Sequence, residues 1–123
     1  PFTIENQLVF IYNYPASQAA LAKLNHDENG QLISERFEVY LNGLELANGY
    51  HELTNSDEQK QRFEKELLST ARPIDEKLLE AMSSPEAGLP DCAGVAMGVD
   101  RVLMLQLGLK SIAEVISFDI HRA

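Results

Sequence analysis

Apolar and polar residues change their spacing several times along the chain, and each change marks an element. Leu8-Val-Phe-Ile-Tyr-Asn-Tyr14 is rich in β-branched and aromatic residues and closes at Pro15, which predicts a buried strand ending in a turn. Ser17 to Leu24 carries a short helical spacing, and Asn25 to Gly30 reads as a loop. Strict alternation then runs through Phe37-Glu-Val-Tyr-Leu41 and Leu44-Glu-Leu-Ala47, on either side of Asn42-Gly43. That dipeptide suits a type I′ turn, whose two central residues need positive φ, so the pattern predicts a two-residue hairpin. Ser56-x-x-Gln59 resembles a capping box that opens a polar surface helix reaching about Ala71, with Phe63 and Leu67 one turn apart. Pro73 opens a second helix with Ile74, Leu78, Leu79 and Met82 on one stripe, followed by a loop from Ser83 to Asp91. Gly94 to Val99 reads as a strand and Arg101 to Leu107 as an apolar helix ending near Gly108. Ser111 to Val115 adds a short helix, and Ile116 to Phe118 an extended tail. A strand, a hairpin, two helices, a strand and a helix favour an α+β fold, an antiparallel sheet flanked by helices, over a doubly wound parallel sheet.

The hairpin turn assigns the faces of its strands. Leu41 is expected opposite Leu44, Tyr40 opposite Glu45 and Glu38 opposite Ala47, which collects Phe37, Val39, Leu41, Leu44 and Leu46 on one face. Glu38, Tyr40 and Glu45 fall on the other. Carboxylates that are diagonal neighbours can close on one cation, and oxygen donors suit Mg²⁺, but a solvated outer face gives the same alternation. Asn48 and Glu52 are four apart, with Tyr50 and His51 between them, so a helical turn would bring the amide and carboxylate to one side. Such a pair beside an aromatic ring can hold an ammonium group; a helix-start carboxylate and a packed ring are the plain alternatives.

In Gly94-Val-Ala-Met-Gly-Val-Asp-Arg101, alternation separates Gly94, Ala96 and Gly98 from Val95, Met97 and Val99, leaving one face almost without side chains. Glycine weakens a strand, and close approach of a ligand or another backbone is a common reason for it. Arg101 sits in the first turn of the following helix, where an anionic partner would explain a cation; tight packing and pairing with Asp100 would explain it equally. The spacing fits neither a dinucleotide-binding glycine fingerprint nor a P-loop.

Composition narrows the context. With 123 residues and a net charge of −9, the chain suits one domain or part of a larger one. Its ten Lys and Arg are scattered, so direct binding of nucleic acid by this segment is not expected. No apolar run approaches the roughly 20 residues of a membrane span. The single cysteine, Cys92, rules out an internal disulfide and reads as a small packed side chain, in keeping with a cytoplasmic location. His26, His51 and His121 lack metal-ligand spacing and read as loop or packing residues, though His51 lies near the candidate ammonium site. Met97 and Met104 read as core, and Glu58 with Arg62 as a surface ion pair. The chain opens on Pro1 rather than Met, so a longer natural protein is expected.

Two blocks, in order, carry a resemblance. Gly94 to Arg101 resembles motif 3 of class II aminoacyl-tRNA synthetases, and Glu35 to Thr54 is similar to the preceding block of lysyl-tRNA synthetases. Tyr14 to Ala22, Gly88-Leu-Pro-Asp-Cys-Ala-Gly94 and the end through Arg122-Ala123 resemble the elongation factor P (R)-β-lysine ligases, paralogues of lysyl-tRNA synthetase without its anticodon-binding domain. The resemblance covers nearly the whole chain and implies a class II synthetase-like core, with residues 1–123 forming the carboxyl-terminal portion of its catalytic domain. It implies ATP-dependent activation of lysine or (R)-β-lysine as an adenylate and transfer to a lysine of elongation factor P. By residue-for-residue match, Glu38 and Glu45 would hold Mg²⁺, and Glu45, Leu46, Gly98 and Arg101 the ATP, with Arg101 pairing with phosphate as the catalytic residue. Asn48, Tyr50, Glu52 and Ala96 would line the amino-acid site. Lysyl-tRNA synthetases carry glycine where this chain, like the ligases, has Ala96, and that favours the ligase over a lysyl-tRNA synthetase fragment; a non-catalytic nucleotide-binding paralogue is the other alternative, which an intact upstream arginine would oppose. Motif 1 and the arginine-bearing strand-loop-strand of motif 2 have no counterpart here. The segment alone is therefore expected to lack adenylation activity and to expose an unpaired sheet edge, while the full-length protein is expected to be a homodimer.

Overall fold

The computed structural model describes residues 6–67, 73–86 and 88–120. Five strands form an antiparallel sheet: β1 (Leu8–Pro15), β2 (Leu24–His26), β3 (Leu32–Leu41), β4 (Leu44–His51) and β5 (Ala93–Met97). Its order is β1-β3-β4-β5, and β2 pairs with β3, Asn25 opposite Ile33. Three helices, α1 (Ser56–Leu67), α2 (Glu76–Ser83) and α3 (Val99–Gln106), complete the α+β fold. The chain divides into two compact units: residues 1–12, 37–49 and 95–123, and residues 13–36 and 50–94.

In the first unit the hairpin forms as the alternation predicts. Asn42 and Gly43 have φ of 53° and 78°, the paired positive values of a type I′ turn. Asn42 tolerates that backbone, and its Oδ1 accepts from the Asn6 N–H at 2.7 Å. Leu46 and Met104 are buried. Four expectations fail here. The run from Leu8 is an edge strand rather than a buried one, with Leu8, Phe10 and Tyr12 turned outward, Phe10 at 59% exposure. β5 is exposed at every position, and Met97, expected in the core, is 59% exposed, because β5 ends the sheet on the other side. Gly98 falls outside that strand as the N-cap of α3, so Val99 begins a helix instead of ending a strand. Ser111 caps a short 3-10 turn, Ile112–Glu114, through a capping box with Glu114, and the stretch from Ile116 to Phe118 bends where an extended tail was expected.

In the second unit, the helix expected over Ser17 to Leu24 shrinks to one 3-10 turn, Ala16–Gln18. Ala20 adopts φ 48°, which ends helical propagation, and Ala22 then bridges Glu52 in antiparallel fashion. The loop expected from Asn25 begins only after His26, because β2 takes its first two residues. α1 is capped by Asn55, whose Oδ1 accepts from the Glu58 N–H at 2.9 Å, and not by Ser56. α2 starts at Glu76, after Asp75, which caps the Leu78 N–H at 3.0 Å, three residues later than Pro73 suggests. Leu79 is buried while Leu78 is exposed. The expected end of the first helix at Ala71 and the matches at His121, Arg122 and Ala123 lie outside the described residues, as does the Leu67 side chain.

The turn supplies a direct test. Gly43→Ala should destabilise the protein by about 1–2 kcal/mol, the cost of a side chain in left-handed backbone, measured by urea unfolding.

Candidate active site

The site residues read from the sequence fall into one group in each unit. In the first, two consecutive carbonyls of β4 receive the start of α3. The Gly98 N–H donates to the Leu46 carbonyl at 2.9 Å, and Arg101 Nη1 donates to the Glu45 carbonyl at 2.8 Å. A Cβ on Gly98 would stand 3.2 Å from Arg101 Cδ, so the glycine makes room for the arginine stem. Arg101 is thus brought to the strand that carries Glu45, as a site built from both requires. Its partner in the structure is that backbone carbonyl, not Asp100.

Glu38 does not sit on a solvated outer face. It is 5% exposed, and Tyr40, two residues along the same strand, donates its hydroxyl to Glu38 Oε2. A solvated outer face does not bury a carboxylate, and a buried one is retained only with partners. Glu45 is half-buried on β4. Asn48 is also on β4, so the helical turn expected around it does not form. Ala96 lies on β5.

In the second unit Glu52 follows the end of β4. Its N–H donates to the Cys92 carbonyl at 2.9 Å, and its carboxylate rests against Gly94, where a Cβ would come within 2.8 Å of Oε1. The bare position in the glycine strand therefore houses the protein's own carboxylate. Tyr50 also differs from expectation: its ring faces a resident cation, the Arg36 guanidinium, 5.7 Å from the ring centroid. Arg36 lies closer still to the Tyr14 ring, at 4.6 Å, and donates to the Gln18 carbonyl at 2.9 Å.

His51, read from the sequence as packing, is clamped between acids. Its Nδ1 lies 2.5 Å from Glu35 Oε2 and its Nε2 2.8 Å from Asp91 Oδ1, which Lys23 Nζ also meets at 3.1 Å. Asn25 Nδ2 donates to the other Glu35 oxygen at 2.7 Å. Hydrogen bonds to Asp91 and then Glu35 raise the His51 pKa above its ordinary 6.5. The Asn25 hydrogen bond, ahead of His51, lowers that of Glu35, and His51 and then Lys23 lower that of Asp91. Partners 16 and 40 residues away leave no local signal by which the sequence could announce this cluster. Arg62, expected in a surface pair, does bind Glu58 at 2.6 Å, but it also donates to the Ala20 and Ala22 carbonyls at 2.8 and 2.7 Å. Among the described residues no cluster of three or more His, Cys, Asp or Glu is placed to hold a metal ion, and no helix is long and apolar enough to cross a membrane.

Comparison with known proteins shows the family. The profile of the tRNA synthetases class II (D, K and N) matches residues 2–122. The chain belongs to the class II tRNA synthetases. It is 52% identical over 120 residues to proteins named elongation factor P–(R)-β-lysine ligase from Salmonella paratyphi B, Salmonella heidelberg and Salmonella enteritidis. That alignment covers 93% of this chain and 35% of each relative, so this class II synthetase segment spans about a third of the length of the curated relatives it matches.

The His51 clamp predicts a pH dependence of stability. The histidine's raised pKa contributes stability that is complete below 6.5 and lost as pH rises through the raised value. The lowered carboxyls contribute stability present above their ordinary values and lost as pH falls through the lowered ones. Denaturation midpoints should therefore peak between the two limits, and His51→Gln should flatten the alkaline limb. Asp91 is exposed, so solvent screening keeps the effect shallow.

Proposed function

We propose that this chain is the carboxyl-terminal part of the catalytic domain of an ATP-dependent ligase. That ligase activates (R)-β-lysine, or a similar lysine-like amino acid, as an adenylate and transfers it to a lysine of elongation factor P. The identity of 52% to relatives bearing the elongation factor P–(R)-β-lysine ligase name carries this reading. In the first step a substrate carboxylate oxygen attacks the α-phosphorus of ATP in line, forming the acyl phosphate bond as the bond to pyrophosphate breaks. In the second, the acceptor lysine amine, having lost a proton, attacks the acyl carbon, an amide forms and AMP leaves. Both steps rest on positioning and charge neutralisation, and neither needs a covalent nucleophile from the protein.

Glu38 and Glu45 would hold Mg²⁺. Two carboxylates without nitrogen or sulfur donors are the donor set that this hard cation takes alongside phosphates, and burial of Glu38 restricts its carboxylate to few orientations. When bound, the ion would neutralise phosphate charge. Leu46 and Gly98 would border the nucleotide. Arg101 would pair with a phosphate, its side chain already fixed by the Glu45 carbonyl, so that little ordering entropy is lost when the nucleotide arrives. Glu52 would hold the substrate ammonium, and Asn48, Tyr50 and Ala96 are the further residues assigned to the amino-acid substrate. We assign the parent protein to the cytoplasm and to a homodimer.

The test is amino-acid-dependent ATP–pyrophosphate exchange by the full-length parent protein. Exchange should be faster with (R)-β-lysine than with α-lysine, and Glu52→Gln should raise the apparent KM for the amino acid about tenfold or more, as loss of a charge-assisted contact does. Unchanged affinity would remove Glu52 from that role. Ala96→Gly should add activity with α-lysine, because the methyl group narrows the substrate side of the strand. A variant with no such gain would leave the preference to other residues.

A further inference from the structure

His51 stands immediately before Glu52, and its surroundings are more specific than packing requires. Its two ring nitrogens meet two carboxylates, Glu35 Oε2 at 2.5 Å on Nδ1 and Asp91 Oδ1 at 2.8 Å on Nε2. An ionised carboxylate only accepts, so both nitrogens must carry protons for both bonds to form; a neutral imidazole could keep only one. Each acid has a further donor of its own, Asn25 Nδ2 on Glu35 Oε1 at 2.7 Å and Lys23 Nζ on Asp91 Oδ1 at 3.1 Å. Charges therefore alternate from Glu35 through His51 and Asp91 to Lys23, and they cancel.

All of these residues belong to the second unit, and their contacts tie three stretches of its chain together. Glu35 lies on β3, His51 ends β4, and Asp91 stands just ahead of β5. The adjacent residues repeat the tie in backbone, where the Glu52 N–H donates to the Cys92 carbonyl at 2.9 Å. Residues 51 and 52 thus hold residues 91 and 92, once through side chains and once through main chain. Two positions further on, Gly94 leaves the space in which the Glu52 carboxylate rests, its Oε1 2.8 Å from where a Cβ would stand. The place of the 91–94 segment decides where that carboxylate lies.

We propose that His51 is a positioning residue for Glu52: by binding Glu35 and Asp91 at once it holds the 91–94 segment against the end of β4 and so fixes the seat of the neighbouring carboxylate. The consequence for catalysis rests on the reading of Glu52 as the residue that holds the substrate ammonium of the proposed ligase. A carboxylate kept in one orientation meets an ammonium with little loss of ordering entropy. One free to swing loses affinity for the amino acid and leaves nucleotide binding as it was. Asp91 is largely exposed, so solvent screens part of the tie, and an effect of about fivefold on affinity is expected.

The experiment is ATP–pyrophosphate exchange by variants of the full-length parent protein. His51→Ala and Asp91→Ala should each raise the KM for (R)-β-lysine about fivefold and leave the KM for ATP within about twofold of the parent's. The double variant should be no worse than either single one, because the two side chains make one tie, and Asp91→Asn, whose Oδ1 still accepts from the imidazole, should recover most of the affinity. Added to Glu52→Gln, His51→Ala should cause no further loss. Single effects that multiply, a KM for ATP that rises in step, or a further loss on the Glu52→Gln background would overturn the proposal. An effect of His51→Ala where Glu52→Gln has none would do the same. Should His51→Ala fail to fold, Asp91→Ala tests the same tie from an exposed residue. The two readings fail separately. A raised KM in Glu52→Gln with an unchanged one in His51→Ala refutes the positioning role and keeps the ligase. If the parent catalyses no exchange with any amino acid, the ligase reading falls and amide hydrogen exchange decides the positioning role. The Glu52 N–H should then exchange about tenfold faster in both alanine variants while the Gly98 N–H keeps its rate. An unchanged rate at Glu52, or equal acceleration at both amides, overturns it.

Discussion

Two neighbouring carbonyls on β4 govern the first unit. Those of Glu45 and Leu46 accept from Arg101 and Gly98, and together they fix where α3 begins and where its arginine stem runs. Glycine at 98 leaves space for that stem, whose Cδ lies 3.2 Å from where a Cβ would stand. A guanidinium anchored to backbone keeps its place whatever the nearby carboxylates do. Its charge is thereby positioned by the sheet instead of by a flexible ion pair.

The second unit solves a similar problem with a carboxylate. Glu52 is held through its N–H by Cys92, and its side chain occupies the space that Gly94 leaves. The residue before it, His51, is gripped from both ring nitrogens by Glu35 and Asp91. Three of the acidic residues that make up the net charge of −9, Glu35, Glu52 and Asp91, are thus engaged at the end of β4.

Local features were legible in the sequence. The Asn42-Gly43 hairpin follows from a dipeptide that tolerates positive φ between alternating strands, and the start of α3 after the glycine strand from the same local rules. Where a reading failed, a partner distant in sequence decided the outcome. Asn48 stays extended because β4 runs on to His51, and the Ser17 to Leu24 pattern yields to a left-handed Ala20 and the bridge from Ala22 to Glu52. The outward turn of Phe10 and Met97 follows from strand order, which single-strand composition does not encode. Of the candidate site, the family resemblance assigned both Glu45 and Arg101 to ATP, while the hydrogen bond from Arg101 to the Glu45 carbonyl emerged only from the fold. The His51 clamp had no precursor in spacing or motif.

The Arg36 guanidinium, with the Tyr14 and Tyr50 rings as neighbours, changes what those rings can recognise. Their electron-rich faces already stabilise a permanent positive charge, so a second cation settling on Tyr50 would meet Coulomb repulsion at short range. Discrimination by charge then falls to carboxylate, and the phenol ring sorts visitors by contour. Salt would screen the long-range pull of the net charge of −9 on a cation, but far less this short-range repulsion at the ring face.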